Sequence, residues 1–517
     1  MEKISLEQVK AGFQKAYKVV GLRNGKEYLL AVQHLFAMFG ATILVPLLTG
    51  FNVSVALVTA GLGTLLFHFL TKRKVPVFLG SSFAFIAALS AITGISNNGL
   101  TAEGVQYAQG GIIIAGVVYC VLSVIVYFVG VERIKKLFPP IVTGPVILVI
   151  GMNLASVGVS DATQIGSTAP FAPVWLSILI SVIVIATVVV FNVIPKKNKF
   201  IGVLKLIPIL LGIAVGYILC VILGACGAVN MDYTPFQTND WFNIPYVSTN
   251  GNGIPFFSLP KFSGTAILTI APIALVTFME HIGDITTNGA VVGKDFFKDP
   301  GLHRTVLGDG AATALAGFFG GPCNTTYGEN TGVLATTGNY NPKILRWAAA
   351  FAIFLGFFGK FGAVLETIPA PVKGGVEIVL YGMISAIGIR ALVDARVDMS
   401  DFRNIVVVAL IVVLGIGISA IGGINIRFSE TFTMNLSGLF VAMIVGVVVN
   451  LVLPKKTVKE INTGDEAVEE PQAMTEVQNE TAPENAAAAD EIMEAEEVPE
   501  MVNEESAAAT DEIKTEE

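Results

Sequence analysis

Charge is scarce in this sequence. Asp, Glu, Lys and Arg make up 14% of the 517 residues, against about a quarter in ordinary soluble domains. With 53% apolar side chains and a mean hydropathy of +0.70, that scarcity excludes a soluble globular fold. Cysteine is equally sparse: Cys120, Cys220, Cys226 and Cys323 lie in or beside apolar stretches at no metal-ligand spacing. No disulfide framework is implied, and they read as small packing residues. The N-terminal region has no short apolar run ending in a small-residue cleavage site, so no cleaved signal peptide is expected and the first span would act as its own signal. Alternating segments of about ten residues, the mark of a membrane β-barrel, are missing too. What the chain does have is a succession of apolar stretches of about 20 residues across its first 454 positions, each long enough to cross the hydrocarbon as a helix. These features describe a polytopic, all-α membrane protein.

The net charge of -8 belongs to the tail. Residues 460 to 517 carry 20 of the 40 acidic residues and one basic residue, Lys514. The rest of the chain has 20 acidic against 31 basic side chains, a balance of +11. The tail is rich in Glu, Ala, Pro and Asn without apolar periodicity, so residues 454 to 517 are expected to be a disordered, solubilising cytoplasmic appendage.

Hydropathy predicts fourteen segments: 28 to 49, 53 to 71, 80 to 95, 109 to 130, 139 to 158, 173 to 195, 201 to 224, 263 to 287, 305 to 320, 328 to 341, 344 to 365, 371 to 389, 404 to 423 and 433 to 453. Those near 80 and 328 are short and broken by Gly and polar residues. With a cytoplasmic N-terminal segment (1 to 27), 28 of the 32 basic residues fall inside, including Lys72-Arg73-Lys74 and Lys196-Lys197. Only Lys261, Lys360, Lys373 and Arg427 fall outside, which favours an even number of spans and two cytoplasmic termini. A repeat points the same way. Pro139, Val142, Gly144, Val146 and Val149 recur 230 residues later as Pro369, Val372, Gly374, Val376 and Val379. That offset carries the fifth span onto the twelfth, so the unit has seven spans and its second copy must insert upside down. The expected organisation is a first repeat over 28 to 224, an extracellular loop over 225 to 262 and a second repeat over 263 to 453. Such inverted repeats build secondary transporters, with the ligand at the midplane where interrupted helices meet.

Polar residues inside spans mark the candidate site, because an ionisable group at bilayer depth is functional by default. In the eighth span Thr277, Glu280, His281, Asp284, Thr287 and Asn288 fall at helical spacing and are expected to form one stripe touched by water or ligand. Glu280 and Asp284, one turn apart, are candidates to carry a coupling proton; His281, at the edge, reads as a structural histidine. The run Asn324-Thr325-Thr326-Tyr327-Gly328-Glu329-Asn330-Thr331-Gly332 opens the tenth span. It offers backbone N–H groups around Gly328, where a ligand can approach the main chain, and a carboxylate at Glu329. The corresponding part of the first repeat, Gly80-Ser81-Ser82-Phe83, offers unpaired backbone and an aromatic face at Phe83. Tyr381 could close the site with its hydroxyl, and Glu377 is an acidic residue without an assigned role. Together these groups match a pyrimidine: carboxylates for two ring N–H donors, backbone N–H for carbonyl oxygens, an aromatic wall for the face.

The same residues resemble the nucleobase/cation symporter (nucleobase–ascorbate transporter) family, and within it the bacterial uracil permeases, over about residues 28 to 453. Glu329-Asn330-Thr331-Gly332 with Thr337-Gly338 is similar to the family's tenth-span pattern, and Glu280-His281-Ile282-Gly283, Gly80-Ser81-Ser82-Phe83 and Asp299-Pro300-Gly301-Leu302-His303-Arg304 look like uracil-permease blocks. The resemblance implies a core domain of spans 1 to 4 and 8 to 11 and a gate domain of spans 5 to 7 and 12 to 14, with short β-strands in spans 3 and 10. It implies Phe83, Glu280, Gly328, Glu329 and Tyr381 as substrate contacts and Glu280 and Asp284 as proton-coupling groups. In some uracil permeases a His occupies the position held here by Asp284. The implied activity is proton-coupled uracil import across the plasma membrane by alternating access, without enzymatic chemistry, metal or organic cofactor. The implied partners are a nucleobase, the bilayer and a second copy through the gate domain, with no nucleic acid. Glu rather than Gln at 329 favours uracil over xanthine, since a carboxylate accepts from a ring N–H and offers no competing donor. A purine or xanthine symporter, an anion transporter of the same fold and a nucleobase-sensing receptor are the alternatives.

Overall fold

The computed structural model describes residues 25–95, 99–167, 170–195, 204–205, 207–427 and 433–454. Nearly all of the expected disordered tail and of the expected N-terminal segment, and Lys196-Lys197, therefore lie outside the described residues. The first half runs α1 (Gly25–Thr49), α2 (Val53–Leu70), the strand β1 (Leu79–Ser81), a turn of 3-10 helix at Phe83–Phe85, α3 (Ile86–Thr93), α4 (Ala102–Val129), α5 (Val131–Leu137), α6 (Pro140–Thr163), α7 (Val174–Val193) and α8 (Pro208–Ala225). After the short α9 (Thr234–Thr238) come α10 (Gly264–Ile270), α11 (Ile273–Val292), α12 (Leu302–Phe319), β2 (Asn324–Thr326), α13 (Gly328–Thr337), α14 (Pro342–Phe357), α15 (Gly359–Glu366), α16 (Ala370–Asp394) and α17 (Phe402–Ala420). A hairpin of β3 (Ile424–Arg427) and β4 (Thr433–Leu436) precedes α18 (Gly438–Val452).

Among the described residues nine stretches are long and apolar enough to cross a membrane: α1, α2, α4, α6, α7, α8, the α10–α11 pair, α16 and α17. The other five predicted segments are shorter or more polar: β1 with α3, α12, β2 with α13, α14 with α15, and α18. Length and composition alone thus single out nine of the fourteen predicted segments among the described residues.

The interruption near residues 80 and 325 has a direct physical cause. At bilayer depth every backbone polar group needs a partner. Neither Leu79-Gly80-Ser81 nor Asn324-Thr325-Thr326 is helical, so the two runs pair with each other as antiparallel strands, Leu79 opposite Thr326, Gly80 opposite Thr325 and Ser81 opposite Asn324. The ladder extends through Ser82 N–H to the Cys323 carbonyl (2.9 Å) and Tyr327 N–H to the Phe78 carbonyl (3.0 Å). This bears out the short strands that the resemblance implies in spans 3 and 10 and corrects the reading of Gly80-Ser81-Ser82 as unpaired backbone. A Cβ at position 80 would lie 2.5 Å from the Tyr327 ring and 2.6 Å from Thr42 Oγ1, so only glycine lets these segments close.

Packing falls into two groups of helices. In one, α2 lies against α12 and α14, and α4 against α12. In the other, α16 lies along α6, α7 packs on α8 and α16, and α17 packs on α6 and α18. The α6–α16 crossing carries the inverted repeat in its geometry. Gly144 of α6 meets Gly388 of α16 so closely that a Cβ on the first would lie 2.8 Å from the other's carbonyl oxygen, and a Cβ on the second 2.5 Å from Gly144's. Shifting each by 230 residues gives Gly374 and Gly158, and these close the opposite end: a Cβ on Gly158 would lie 3.3 Å from the Ile378 nitrogen, and one on Gly374 would meet the Ala162 backbone. The two copies therefore cross antiparallel through equivalent residues.

On the side where the basic loops gather, Lys74 pairs with Asp299, in the segment between α11 and α12. The Lys74 ammonium holds the Asp299 carboxyl below its ordinary value of 3.8. A depressed carboxylate contributes stability above its ordinary value and loses it as pH falls. Asp299→Asn is thus expected to lower the melting temperature slightly at pH 7, in keeping with the small worth of exposed pairs. The gap should close as the pH drops below about 4; a gap that persists there assigns the loss to the turn, not the charge.

Candidate functional site

The broken helices and α11 meet at one cleft. Its polar wall comes from the first group: Ser81 and Phe83 after β1, Glu280 and Asp284 on α11, and the run Thr325 to Glu329 across β2 and the start of α13. The facing wall is apolar and comes from the second group, with Ile147 on α6 and Ile384 and Ile387 on α16. Of the five predicted contact residues, Phe83, Glu280, Gly328 and Glu329 line this cleft. Tyr381 does not, but its ring meets Phe83 edge-on, with centroids 5.7 Å apart and planes at 85°. Glu377 is fully buried elsewhere on α16, with both carboxylate oxygens lacking a hydrogen-bond partner, and takes no part in the cleft.

Several polar atoms here are left without a partner. Glu280 Oε2, Ser81 Oγ and Thr325 Oγ1 are buried and make no hydrogen bond. Such groups are costly to bury unless something supplies the missing bond, which fits a surface that takes up a polar ligand. Asp284 differs, since Thr326 Oγ1 donates to its Oδ2 at 2.7 Å, tying α11 to β2. Gly328 opens α13, where the first N–H groups of any helix lack intrahelical acceptors. Its N-cap residue, Tyr327, provides no side-chain cap. Instead the Tyr327 hydroxyl donates to the Ser81 carbonyl (2.8 Å) and lies 3.0 Å from Thr42 Oγ1, fixing the strand pair beneath the cleft.

The single polar stripe expected on α11 divides in two. Glu280 and Asp284 face the cleft and Thr287 is exposed, whereas Thr277, His281 and Asn288 are fully buried on the adjoining face. His281 Nδ1 lies 3.1 Å from Asp309 Oδ2 of α12, both side chains out of contact with solvent. The Asn288 amide donates to the Pro76 carbonyl (3.0 Å) and to Thr331 Oγ1 (3.1 Å). Helical geometry explains the split: positions 277, 281 and 288 cluster on a face whose mean direction is rotated by about 70° from that of 280, 284 and 287. Similarly, Asn330 donates to the His34 carbonyl at 2.9 Å, anchoring α13 on α1.

Sequence reasoning passed over Ser81, Thr325, Thr326 and Tyr327 as individual contributors, because their roles depend on the strand pairing. It also passed over Asp309, for which a signal existed: an acidic residue within a segment counted as a span. Among the described residues no group of three or more His, Cys, Asp and Glu is arranged to hold a metal ion.

A sequence profile described as a permease family matches residues 25–424. A probable uracil permease of Pasteurella multocida is 41% identical over 432 residues, covering 84% of this chain and 94% of the relative. A uracil permease of Bacillus caldolyticus is 42% identical over 431 residues, covering 83% and 92%. Among solved structures, the murine Solute Carrier 26 family member A9 anion transporter in the inward-facing state superposes with a TM-score of 0.56 at 12% identity, covering 87% of this chain and 72% of that one. At that identity the likeness shows a shared fold.

Proposed function

The chain belongs to the nucleobase–ascorbate transporter family of permeases and is an integral, multi-pass membrane protein; from that premise we propose that it imports uracil by proton symport. The observation that carries the reading is the convergence of Glu280 and Glu329, from two different helices, on one narrow cleft beside the N–H end of α13. Uracil presents two ring N–H donors, two carbonyl acceptors and a flat face. Glu280 and Glu329 accept from the ring nitrogens, Gly328 N–H donates to a carbonyl, and Phe83 covers the face. Tyr381 backs Phe83 edge-on from the α16 side and holds that ring in place. The named activity of both relatives supports this substrate.

Coupling follows from the same groups. Glu280 carries the proton that is exchanged during the cycle, and Asp284, held by Thr326, is its neighbour one turn away. The proton is the only coupling species and no organic cofactor is needed. Transport proceeds by alternating access, the apolar wall of Ile147, Ile384 and Ile387 sliding past the polar wall. The protein resides in the plasma membrane with both termini cytoplasmic and pairs with a second copy through α6 to α8 and α16 to α18. An acidic cleft disfavours anion transport despite the shared fold.

The deciding experiment is radiolabelled uracil uptake into proteoliposomes holding the full chain. Accumulation is expected with the outside acidic and should collapse with a protonophore. Thymine and 5-fluorouracil should compete and xanthine should not. Uptake driven by sodium alone would overturn the coupling ion, and competition by xanthine without thymine would move the substrate to the purines.

A further inference from the structure

A second cavity, between the last turns of α2 and the first turns of α14, is used by no part of the transport reading. Two guanidinium groups, of Arg73 and Arg346, stand on its wall, and no acidic side chain among the described residues lines it. Arg346 Nη1 is buried and has no hydrogen-bond partner. A cationic donor buried without an acceptor is expensive, so the cavity is built for an anion that the described residues do not provide. The rest of the wall is apolar: Leu65 and Phe69 on α2, Trp347 and Ala350 on α14. The apolar surface continues outward along both helices, with Phe69 and Phe354 each 68% exposed. His68 is already committed, its Nε2 donating to the Val77 carbonyl at 2.9 Å.

An anionic head with an apolar tail satisfies both halves of this surface. Arginine forks match phosphate oxygens, and basic pockets between spans on the cytoplasmic side suit lipid head groups. The neighbouring Lys72, Lys74 and Lys343 assign this end to the cytoplasmic leaflet. We propose that the cavity binds an anionic glycerophospholipid of that leaflet, its phosphate on Arg73 and Arg346 and one acyl chain along Leu65, Phe69 and Phe354. The site is separate from the uracil cleft, with which it shares no lining residue.

Trp347 offers a local reporter. Replacing the other two tryptophans, Trp175 and Trp241, by Phe leaves it as the one indole in the full chain. Phosphatidylglycerol with brominated acyl chains, titrated into delipidated protein in neutral detergent, should quench Trp347 saturably and at lower mole fraction than brominated phosphatidylcholine. At about 1 kcal/mol per basic residue near the head groups, Arg73→Gln should weaken retention about fivefold and Arg73→Gln with Arg346→Gln about twenty-fivefold. Arg73 is exposed, so its single variant serves if the double variant does not fold. Equal quenching by the two lipids, or undiminished selectivity in the Arg73 variant, would overturn the proposal. Relief of quenching by millimolar inorganic phosphate would assign the cavity to a free anion and overturn the lipid assignment.

Discussion

Glu280→Gln should leave a folded, correctly inserted protein whose uracil uptake falls by about a hundredfold or more. The two side chains are nearly isosteric, so the packing of α11 is preserved. The chemistry is not. A hydrogen bond to a charged acceptor contributes about 1.5–3 kcal/mol, worth about 10- to 150-fold in binding by itself. The amide also turns a donor toward the place where the substrate's own N–H must donate. Glu280 Oε2 has no hydrogen-bond partner among the described residues, so no internal bond at that oxygen is lost to confuse the result. The variant can no longer take up a proton at that position, so any residual uptake should lose its dependence on outside pH. Asp284→Asn is the comparison: the Thr326 hydroxyl can still donate to the amide oxygen, and the loss should be smaller. Uptake and melting temperature measured on the same preparations separate function from folding. Near-normal uptake by Glu280→Gln, in protein that melts like the parent, would remove this carboxylate from the binding cleft.

The legible parts of this molecule were those written in local residue patterns. Apolar runs located the spans, and basic loops together with the 230-residue offset gave the inverted order of the copies. An ionisable residue within apolar surroundings marked Glu280, Asp284 and Glu329, and the structure brings all three to one cleft. What was not legible depends on which segments meet. Whether Gly80 is unpaired or laddered is decided by Thr325, 245 positions away, and no periodicity in either segment announces it. The direction in which each polar residue of α11 faces is set by the neighbours on either side, α12 and the strand pair, so a single expected stripe became two. Length and composition single out nine of the fourteen predicted segments for a related reason. Helices such as α12 and α13 are shielded by other helices and need not be apolar all round, so hydropathy understates them. Tyr381 shows the limit most plainly: its neighbourhood was foreseen, yet its ring rests on Phe83 and not on the cleft surface, and Glu377 beside it remains outside every contact assigned to the substrate.

Gly388→Leu should prevent stable folding, while Gly382→Leu on the same helix should be tolerated. The difference is one of position, not of helix propensity, which improves equally in both. At Gly382 nothing lies within 4 Å of where a side chain would begin. At Gly388 a Cβ would lie 2.5 Å from both the Gly144 carbonyl oxygen and the Leu148 nitrogen. Overpacking costs about 1–3 kcal/mol where side chains can move aside, but these neighbours are main-chain atoms of α6 and cannot. Relief would require α6 and α16 to separate along the crossing that joins the two copies of the repeat. Because shifting Gly144 and Gly388 by 230 residues gives Gly374 and Gly158, Gly374→Leu should fail in the same way at the other end of the crossing, where its Cβ would strike the Ala162 backbone. Size-exclusion profiles and thermal melts of the three variants provide the check. A well-folded Gly388→Leu protein would mean that the helices can part without loss, and the inverted crossing would then not be what holds the second group of helices together.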